Sequence, residues 1–488
     1  MKTKTPKRIA IVGGGTAGLV TALILKYRLN VEVDIIYSSK VGIIGVGEGS
    51  TEHWRSFMNF INVTPRQVIK ECDATVKIGI MFQNWAQQDY MHSVQSPYSH
   101  QAGQTLVGYL RRMADKAPSK DMSHPSFWNS QIHVSNILNP EDAPSNQFHF
   151  NTNSLNNFLV RQAEAAHINI IDDEITDVEL NSCGEIDILT GTSGNKYNYD
   201  FYVDCTGFKR LLISKLGAKW KSYSKYLKIN AAIAFPTEDP DEYNAWTLTR
   251  AMDYGWMWHI PVWGRAGNGY VYDSSYITAD QAKEEVERVL GRKIEVARSF
   301  SFDPGSVDRF WIKNCVALGL SSSFIEPLEA SSIGSTIQQA FLLMHAVSNY
   351  NEHVVEKYNE QNTQLLDNIC DYVRLHYQTE KTNTSFWTDA RNMPMSPFLE
   401  TKLKHWKTHI PSDNDFDHVT PYIMFKAVNF AMVIQGLGLY DPAAYKTQYM
   451  QLSSFIKNSE LDRFNNYVSE RKIAVPHKEA IRMIREVA

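Results

Sequence analysis

The 488-residue sequence is poor in cysteine and has no long apolar run. The five cysteines, at positions 72, 183, 205, 315 and 370, are widely spaced and form no Cys-x-x-Cys pair, which argues against a disulfide framework and a zinc site. We therefore expect reduced thiols, no metal and a cytoplasmic protein. The sequence contains no run of about 18 apolar residues, so no membrane span is predicted. The apolar run at residues 9–12 is too short for a signal peptide.

A strong net charge is also absent. The chain has 49 basic and 53 acidic residues, and the resulting charge of −4 is too small to indicate a nucleic acid or an anionic membrane as partner. Hydrophobic residues make up 43% and charged residues 21%, as in an ordinary soluble globular protein. Because domains average roughly 100–200 residues, the length predicts two or three of them.

The clearest motif is a glycine-rich turn near the N-terminus. A short apolar strand pattern ends at a Gly-x-Gly-x-x-Gly turn, and a helical pattern follows at once. In this setting Gly13 makes the turn, Gly15 admits a pyrophosphate, and Gly18 lets helix and strand pack closely. The phosphates would lie at the positive helix N-terminus, where Thr16 and Ala17 are found. The motif therefore predicts a dinucleotide site.

The next strand and turn extend this site. An acid that binds the ribose is expected about 20 residues beyond the first turn, but the strand at residues 31–37 ends in Ser38 and Ser39, which replace it only in part. A second glycine-rich turn leads into a helical pattern, and we expect its backbone donors to wrap the same cofactor. A plain loop before a capped helix is the alternative. The residues assigned to the cofactor here are Gly47, Glu48, Gly49 and Ser50.

Hydrophobic patterning predicts an α/β fold in two parts. Residues 1–345 alternate strand and helix patterns around the dinucleotide site, and residues 346–488 are mainly helical and would form a substrate-side domain. Within the first part, residues 88–148 are irregular and are predicted to cover a pocket. Residues 228–300 are rich in strand patterns.

One lysine lies in an unusually apolar strand pattern. Residues 72–85 alternate in side-chain character and predict a single strand with Lys77 in its middle. An isolated lysine is more often solvated, so an exposed side chain is the alternative. The apolar neighbours weaken that alternative, and beside Gly79 the amine would point across open space.

Several motifs together resemble the flavin-dependent halogenases of the tryptophan halogenase type. Their hallmark Trp-x-Trp-x-Ile-Pro is complete at Trp256, Trp258, Ile260 and Pro261. The similarity keeps its order over most of the chain. It implies a flavin-monooxygenase-like dinucleotide-binding domain with an inserted β-sheet and a mostly helical C-terminal part. Further matching stretches are residues 45–48, 74–77, 204–208, 269–272 and 326–329.

The resemblance implies a reaction and its catalytic residues. Reduced FAD, oxygen and halide give hypohalous acid, which reaches the lysine matched by Lys77 and is held there by a hydrogen bond or as a haloamine. Glu329 matches the family glutamate that orients the electrophile or takes the ring proton. The alternative for Glu329 is an acid favoured only by the start of a helix. Asp204 and Gly319 are assigned to the cofactor, with a simple turn aspartate as the alternative for Asp204.

The resemblance also implies a halide site and a pair of tryptophans that separates the flavin from the substrate. Ser331 and Ser332 match positions that bind halide through backbone N–H groups, and the helical pattern after them leaves such donors unpaired. Ala330 and Ser332 stand where a serine and a glycine are usual, which leaves the halide preference open. In the family the two tryptophans close the flavin side, so that substrate does not reach the flavin and hydroxylation is prevented. As alternatives, these residues are ordinary core aromatics.

The sequence and the resemblance also indicate the partners of the protein. No second dinucleotide fingerprint appears, so a separate flavin reductase is expected to supply reduced FAD. The expected substrate is a small electron-rich aromatic compound, and free tryptophan is not inferred. A flavin-dependent aromatic hydroxylase and a non-catalytic flavin-binding protein are the competing functions. Aromatic residues that could sandwich a substrate ring, or simply fill the core, are Phe386, Trp387, Trp406, Tyr422 and Phe425.

Overall fold

A computed structural model describes residues 3–42, 48–93, 131–132, 147–417, 419–459, 462 and 475–486, and the statements below concern these residues. Gly47 and most of the predicted insertion at residues 88–148 lie outside them. The described part is mixed α/β, as predicted.

A six-stranded sheet carries the glycine-rich turn at one edge. Its strands are, in spatial order, Trp311–Ile312, Cys315–Ala317, Phe201–Asp204, Arg8–Val12, Glu32–Tyr37 and Asn169–Asp172. All neighbours pair in parallel except the first two. Since the strand Arg8–Val12 is buried on both faces after its first residue, its β-branched apolar sequence suits the middle of such a sheet. The carboxyl ends of parallel strands meet at one edge, which is where ligands bind in folds of this kind.

A second, seven-stranded sheet lies in the region predicted to be strand-rich. Four of its strands fall within residues 228–300 and a fifth, Arg298–Ser301, begins there; the same stretch contains the helix Ala279–Leu290. In spatial order the strands are Arg298–Ser301, Ala231–Thr237, Arg265–Tyr272, Gly255–Val262, Thr247–Ala251, Gly79–Gln83 and Tyr90–Ser93.

The prediction of one strand over residues 72–85 is wrong. Thr75–Val76 belongs to a three-stranded sheet, whereas Gly79–Gln83 belongs to the seven-stranded sheet. The N–H of Lys77 donates to the carbonyl of Gln147 (2.8 Å), whereas the N–H of the next residue, Ile78, donates to the carbonyl of Ala245 (2.7 Å), so the chain changes partners between these two residues. Lys77 therefore lies at the junction of two sheets.

Part of the stretch predicted to be irregular from residue 88 is a regular strand. Tyr90–Ser93 is the edge strand of the seven-stranded sheet and pairs antiparallel with Gly79–Gln83. The sequence between these two strands is short, and side-chain patterning alone does not separate the second strand from the stretch predicted to be irregular.

Smaller sheets and many helices complete the fold. The small sheets contain Glu48–Gly49, Phe148–Phe150 and Thr75–Val76; Ile175–Leu180, Ile186–Gly191 and Lys196–Tyr197; Trp220–Ser222, Gly305–Val307 and Ser323–Phe324; and Gln131–Ile132 with Val475–Pro476. The described α-helices are Thr16–Arg28, His53–Phe60, Pro65–Glu71, Thr152–Ala165, Leu211–Lys215, Ala279–Leu290, Ser331–Val347, Glu352–His376, Ser385–Asn392, Pro397–Trp406, Ala427–Leu437, Pro442–Met450 and His477–Glu486.

One hydrophobic core cluster joins the sheets to the later helices, with members from Ile9 to Ile484. The helix Ser331–Val347 runs across the boundary predicted at residue 345, and that boundary stays a prediction. All five cysteines are described, and none is in a disulfide. Within the described ranges, no helix has both the length and the apolar character needed to cross a membrane.

The helix His477–Glu486 packs back onto the segment that carries Lys77. The N–H of Val76 donates to Nε2 of His477 (3.0 Å), and this imidazole is fully buried. Burial lowers the pKa of His477 to about 4, so the ring is a neutral acceptor near pH 7. Arg485 adds a second attachment by donating to the carbonyl of Ile69 (2.8 Å).

We predict that His477→Leu lowers the free energy of unfolding by about 1–3 kcal/mol, because the buried N–H of Val76 loses its acceptor. His477→Gln keeps an acceptor of similar reach and should lose less. Urea unfolding of the two variants and the parent protein measures the difference. Equal losses in both variants would contradict this role of the imidazole.

Candidate active site

A cleft of about 620 Å³ opens at the carboxyl edge of the parallel sheet, a size typical of cofactor and ligand pockets. It runs from the glycine-rich turn to the start of the helix Ser331–Val347. Predicted cofactor residues that line it are Gly13, Gly15, Thr16, Ala17, Ser38, Ser39, Glu48 and Gly319. Burial raises the pKa of Glu48 to about 7.

The glycine-rich turn is shaped for close approach of an anion. Gly13 has φ +123°, and a Cβ on Gly18 would lie 1.9 Å from the Gly13 carbonyl oxygen, so both positions require glycine. A Cβ on Gly15 would meet no protein atom within 4 Å. Gly15 is also the N-cap of the first helix and supplies no side-chain cap, which leaves the helix amides available to phosphate. These features fit a dinucleotide.

Asp204 does not line the cleft. Its Oδ1 accepts from the N–H and hydroxyl of Thr206 and from the hydroxyl of Ser321 (3.0, 2.7 and 3.0 Å). Its Oδ2 accepts from the N–H groups of Leu212 and Ile213 (2.8 and 2.9 Å). This fully buried carboxylate is therefore a turn and helix-start aspartate, the alternative that the sequence left open.

Lys77 is fully buried, so the exposed alternative is wrong. Its Nζ donates to the carbonyl of Ser50 (2.8 Å). A Cβ on Gly49 would lie 3.6 Å from this Nζ and 3.3 Å from the Cβ of Ala330, which places all three residues together. Gly49 and Ser50, predicted as cofactor residues, thus lie beside the amine. Burial lowers the pKa of Lys77 to about 8, against the opposing charges of Glu329 and Glu52.

Two short segments lead from the cleft to the amine. Glu48 lines the cleft and the next residue, Gly49, lies beside Lys77. Ser332 also lines the cleft, and Ala330, two residues earlier, lies close to Gly49, the residue beside the amine. Because consecutive Cα atoms are about 3.8 Å apart, the second segment spans at most about 7.6 Å. The amine and the cofactor cleft are close neighbours with protein between them.

A small cavity adjoins the cofactor cleft at the start of the helix Ser331–Val347. Its volume is about 10 Å³, close to the space of one water molecule or ion. Ser331 and Ser332 both line it, and Gly319 and Ser332 are shared with the cleft. The N-cap residue Ala330 has φ +52° and offers no side-chain cap. The helix therefore presents amide donors and its positive end to this cavity.

Glu329 is held by two histidines that sequence reasoning missed. Its Oε2 lies 2.8 Å from Nδ1 of His92, and its Oε1 lies 2.9 Å from Nε2 of His376. All three side chains are at most 1% exposed. Burial by itself raises the pKa of Glu329, but His92 and His376 together outweigh it and lower the pKa to about 2. No local pattern in the sequence marks either histidine as a partner of this carboxylate.

The two tryptophans of the Trp-x-Trp-x-Ile-Pro motif lie on one face of a strand, with ring centroids 6.1 Å apart. The Trp258 ring occupies the space above Gly269 on the next strand, where a Cβ would lie 2.1 Å from the indole. Nε1 of Trp256 donates to Oε1 of Glu326 (3.1 Å). The indole pair is thus fixed both to a neighbouring strand and to the turn that carries Glu329. Ile260 and Pro261 continue the same strand.

Most of the aromatic residues considered for the substrate belong to the core. Phe386, Trp387 and Trp406 are fully buried. The indole of Trp387 donates to the carbonyl of Met252 (2.7 Å), as expected of a packed core side chain. Among the described residues, no group of three or more His, Cys, Asp or Glu side chains is arranged to hold a metal ion.

Comparison with known proteins agrees with this arrangement. The sequence profile of the tryptophan halogenase family matches residues 8–453. The 7-chloro-L-tryptophan 6-halogenase KtzR from Kutzneria sp. (strain 744) is 28% identical over 461 residues, which cover 85% of this chain and 87% of that protein. A tryptophan halogenase from Shewanella frigidimarina NCIMB 400 has a TM-score of 0.89 at 25% identity and covers 99% of this chain and 98% of its own. Xcc4156, a flavin-dependent halogenase from Xanthomonas campestris, has a TM-score of 0.85 at 26% identity and covers 99% of each chain.

The chain belongs to the tryptophan halogenase family. It is an FAD-dependent halogenase, so the resemblance identified from the sequence motifs is confirmed.

Gly15, the N-cap of the first helix, and Gly18, within its first turn, give a matched test of the FAD site. Gly15→Ala should weaken FAD binding by about tenfold or more, since its methyl group enters the space of the phosphates. The stability of the free protein should not change, because this methyl group meets no protein atom. Gly18→Ala should also destabilise the free protein by about 1–3 kcal/mol, because its methyl group overlaps the Gly13 carbonyl. Fluorescence titration with FAD and thermal unfolding of the free proteins measure both effects. Unchanged FAD affinity in Gly15→Ala would contradict the assignment.

Proposed function

We propose that this halogenase uses reduced FAD, oxygen and halide to make hypohalous acid, and that Lys77 relays the halogen to an electron-rich aromatic substrate. The observation that carries this proposal is a fully buried lysine amine placed next to the residue that follows Glu48 of the cofactor cleft. Glu329 serves at the same electrophilic end.

The cleft residues would hold FAD through its phosphates at the first helix and through the turn at Glu48. Reduced FAD supplies the chemistry that converts oxygen and halide into hypohalous acid. The ribose acid missing after residue 37 has a candidate in the loop that follows the neighbouring strand Asn169–Asp172, since Glu174 lines the cleft; its carboxylate also pairs with Lys209 (3.5 Å). We assign Glu174 to the ribose, together with Ser38 and Ser39.

Ser331 and Ser332 would bind the halide through their backbone N–H groups in the small cavity at the helix start. The positive end of the helix favours an anion there. The cavity shares Gly319 and Ser332 with the cofactor cleft, so a halide in it lies beside the cofactor. Its size fits a single ion.

Lys77 receives the oxidant as a nucleophile. In its free amine form the nitrogen attacks the halogen of hypohalous acid: the N–halogen bond forms, the O–halogen bond breaks, and water leaves with one amine proton. As an ammonium it only donates a hydrogen bond to the oxidant. Because its pKa is about 8, both forms exist near neutral pH, and the amine form increases as the pH rises.

Transfer to the substrate completes the cycle. The ring carbon forms its bond to the halogen as the N–halogen bond breaks, and the lysine nitrogen takes up a proton. The ring then loses its own proton, for which the Glu329 carboxylate is the nearby acceptor. The tryptophan pair at Trp256 and Trp258 would keep the aromatic compound away from FAD, which prevents hydroxylation.

The partners follow from this scheme. Reduced FAD would come from a separate flavin reductase, and the unpaired cysteines fit a cytoplasmic location. Relatives in the family are named for tryptophan or chlorotryptophan, and we propose the broader class of electron-rich aromatic compounds. The finer fold assignment, a flavin-monooxygenase-like cofactor domain with a helical C-terminal part, belongs to the same proposal.

Lys77→Ala should reduce halogenation by on the order of 10²-fold or more, because the buried amine is the only proposed carrier of the halogen. FAD binding and consumption of reduced FAD should persist. The measurement is mass spectrometry of products from an aromatic panel incubated aerobically with reduced FAD and chloride or bromide. Lys357→Ala, at an exposed helix position, is the matched control.

The same assay distinguishes the competing functions. Oxygenated products without halogen would favour a hydroxylase. Absence of any product or released oxidant from the parent protein would favour a non-catalytic flavoprotein. Full halogenation by Lys77→Ala would overturn the relay.

A further inference from the structure

The small cavity at the start of the helix Ser331–Val347 is lined by two chemically different sets of residues. Ser331 and Ser332 bring the amide end of that helix to it. Leu366 and Ile369 line it with branched apolar side chains from the long helix Glu352–His376. Being three positions apart, these two residues share one face of the long helix. We call this pair the apolar face, and both of its side chains are buried.

The charge of a bound ion does not distinguish one halide from another, because chloride, bromide and iodide all carry one negative charge. None of the described residues that line the cavity is Lys, Arg or His, so the attraction comes from neutral donors and the helix end. Among those donors, the hydroxyl of Ser335 is already given to the carbonyl of Ser332 (3.0 Å). Halides differ in radius, which increases from chloride to iodide. The space that the apolar side chains leave is therefore what can separate them.

That space is small, since the cavity volume of about 10 Å³ is close to that of one water molecule. Hydrogen bonds also hold the long helix on both sides of the apolar face. Before it, the hydroxyl of Tyr358 donates to the carbonyl of Gln339, in the helix that supplies the amides (3.2 Å). After it, the hydroxyl of Tyr377 donates to Oε1 of Glu326 (2.5 Å), and the residue before this glutamate, Ile325, lines the cavity.

These four anchoring side chains are at most 2% exposed, so both hydrogen bonds are made out of contact with water. Because protein interiors are close-packed, a larger ion cannot push the apolar face away without disturbing these contacts. The apolar face is thus a fixed limit on the size of the ion.

We propose that Leu366 and Ile369 determine the halide preference of the enzyme: they limit the radius of the ion that the amides of Ser331 and Ser332 can hold, so that chloride and bromide are accepted and iodide is disfavoured. This inference rests on the proposed halide site and adds the residues that select among the halides.

The test is competition between two halides in one reaction. The enzyme is supplied with reduced FAD, oxygen, the aromatic panel and equal concentrations of chloride and bromide, with catalase present to remove free peroxide. Mass spectrometry gives the ratio of brominated to chlorinated product. Shortening the side chain in Leu366→Val and then in Leu366→Ala should raise this ratio stepwise, by about tenfold in the alanine variant, because the larger ion gains room while chloride loses contact.

Leu365→Val and Leu365→Ala are the matched controls. Leu365 is the preceding residue of the same helix and is also fully buried, but it is not among the residues that line the cavity. Its variants should keep the parental ratio. Both products form in the same mixture, so a smaller amount of folded enzyme does not change the ratio. An unchanged ratio in Leu366→Ala, or an equal rise in Leu365→Ala, would overturn the inference.

A measurement without turnover separates this inference from the proposed reaction. Crystals of the FAD-loaded parent protein and of Leu366→Ala are soaked in bromide or iodide, and the ions are located by anomalous diffraction. We expect bromide in the cavity of both proteins and iodide only in the variant. Iodide of equal occupancy in both, or neither ion in the cavity of either protein, would contradict selection by the apolar face. If the parent protein yields no halogenated product, the proposed reaction is wrong, and the diffraction result still decides which ions the cavity accepts.

Discussion

The burial of one amine beside one carboxylate is the constraint on which the rest of the structure depends. A lysine is costly to bury, because removal from water penalises its charge. Here the cost is offset by the Ser50 carbonyl and by nearby acidic groups, and the outcome is a lysine that loses its proton more easily than in water. The chain passes from one sheet to another at this lysine, and a helix begins two residues after Glu329. The cofactor cleft on the other side of these segments therefore has a neighbouring amine that is inaccessible to solvent.

The turn that carries Glu329 shows how environment assigns different tasks to like groups. Glu326, three residues earlier, is also fully buried, and burial raises its pKa to about 7 despite donors from Tyr377 and Trp256. Glu329 has two imidazoles instead, and its pKa falls. The first carboxyl group accepts a hydrogen bond from the indole of Trp256, and the second is the one to which we assign a part in halogenation.

Features encoded by neighbouring residues could be predicted from the sequence, whereas those made by distant residues could not. The glycine-rich turn, the paired indoles and the helix after Ser331 follow from local spacing, and the structure places them as expected. The division of residues 72–85 between two sheets depends on which segments compete for the N–H groups around Lys77, and alternation alone carries no such information. His92 and His376 reach Glu329 from far along the chain. Asp204 looks like a ligand residue in sequence, because the donors that satisfy it come from a later turn and helix.

The contact between Trp258 and Gly269 has a consequence for redesign. The two residues face each other on adjacent strands, and the indole fills the volume that any side chain at position 269 would need. Libraries that diversify the two strands independently would consist largely of incompatible pairs. Combinatorial engineering of this enzyme must therefore treat the two positions as a single unit, and a smaller aromatic or aliphatic residue at 258 is the precondition for any enlargement at 269.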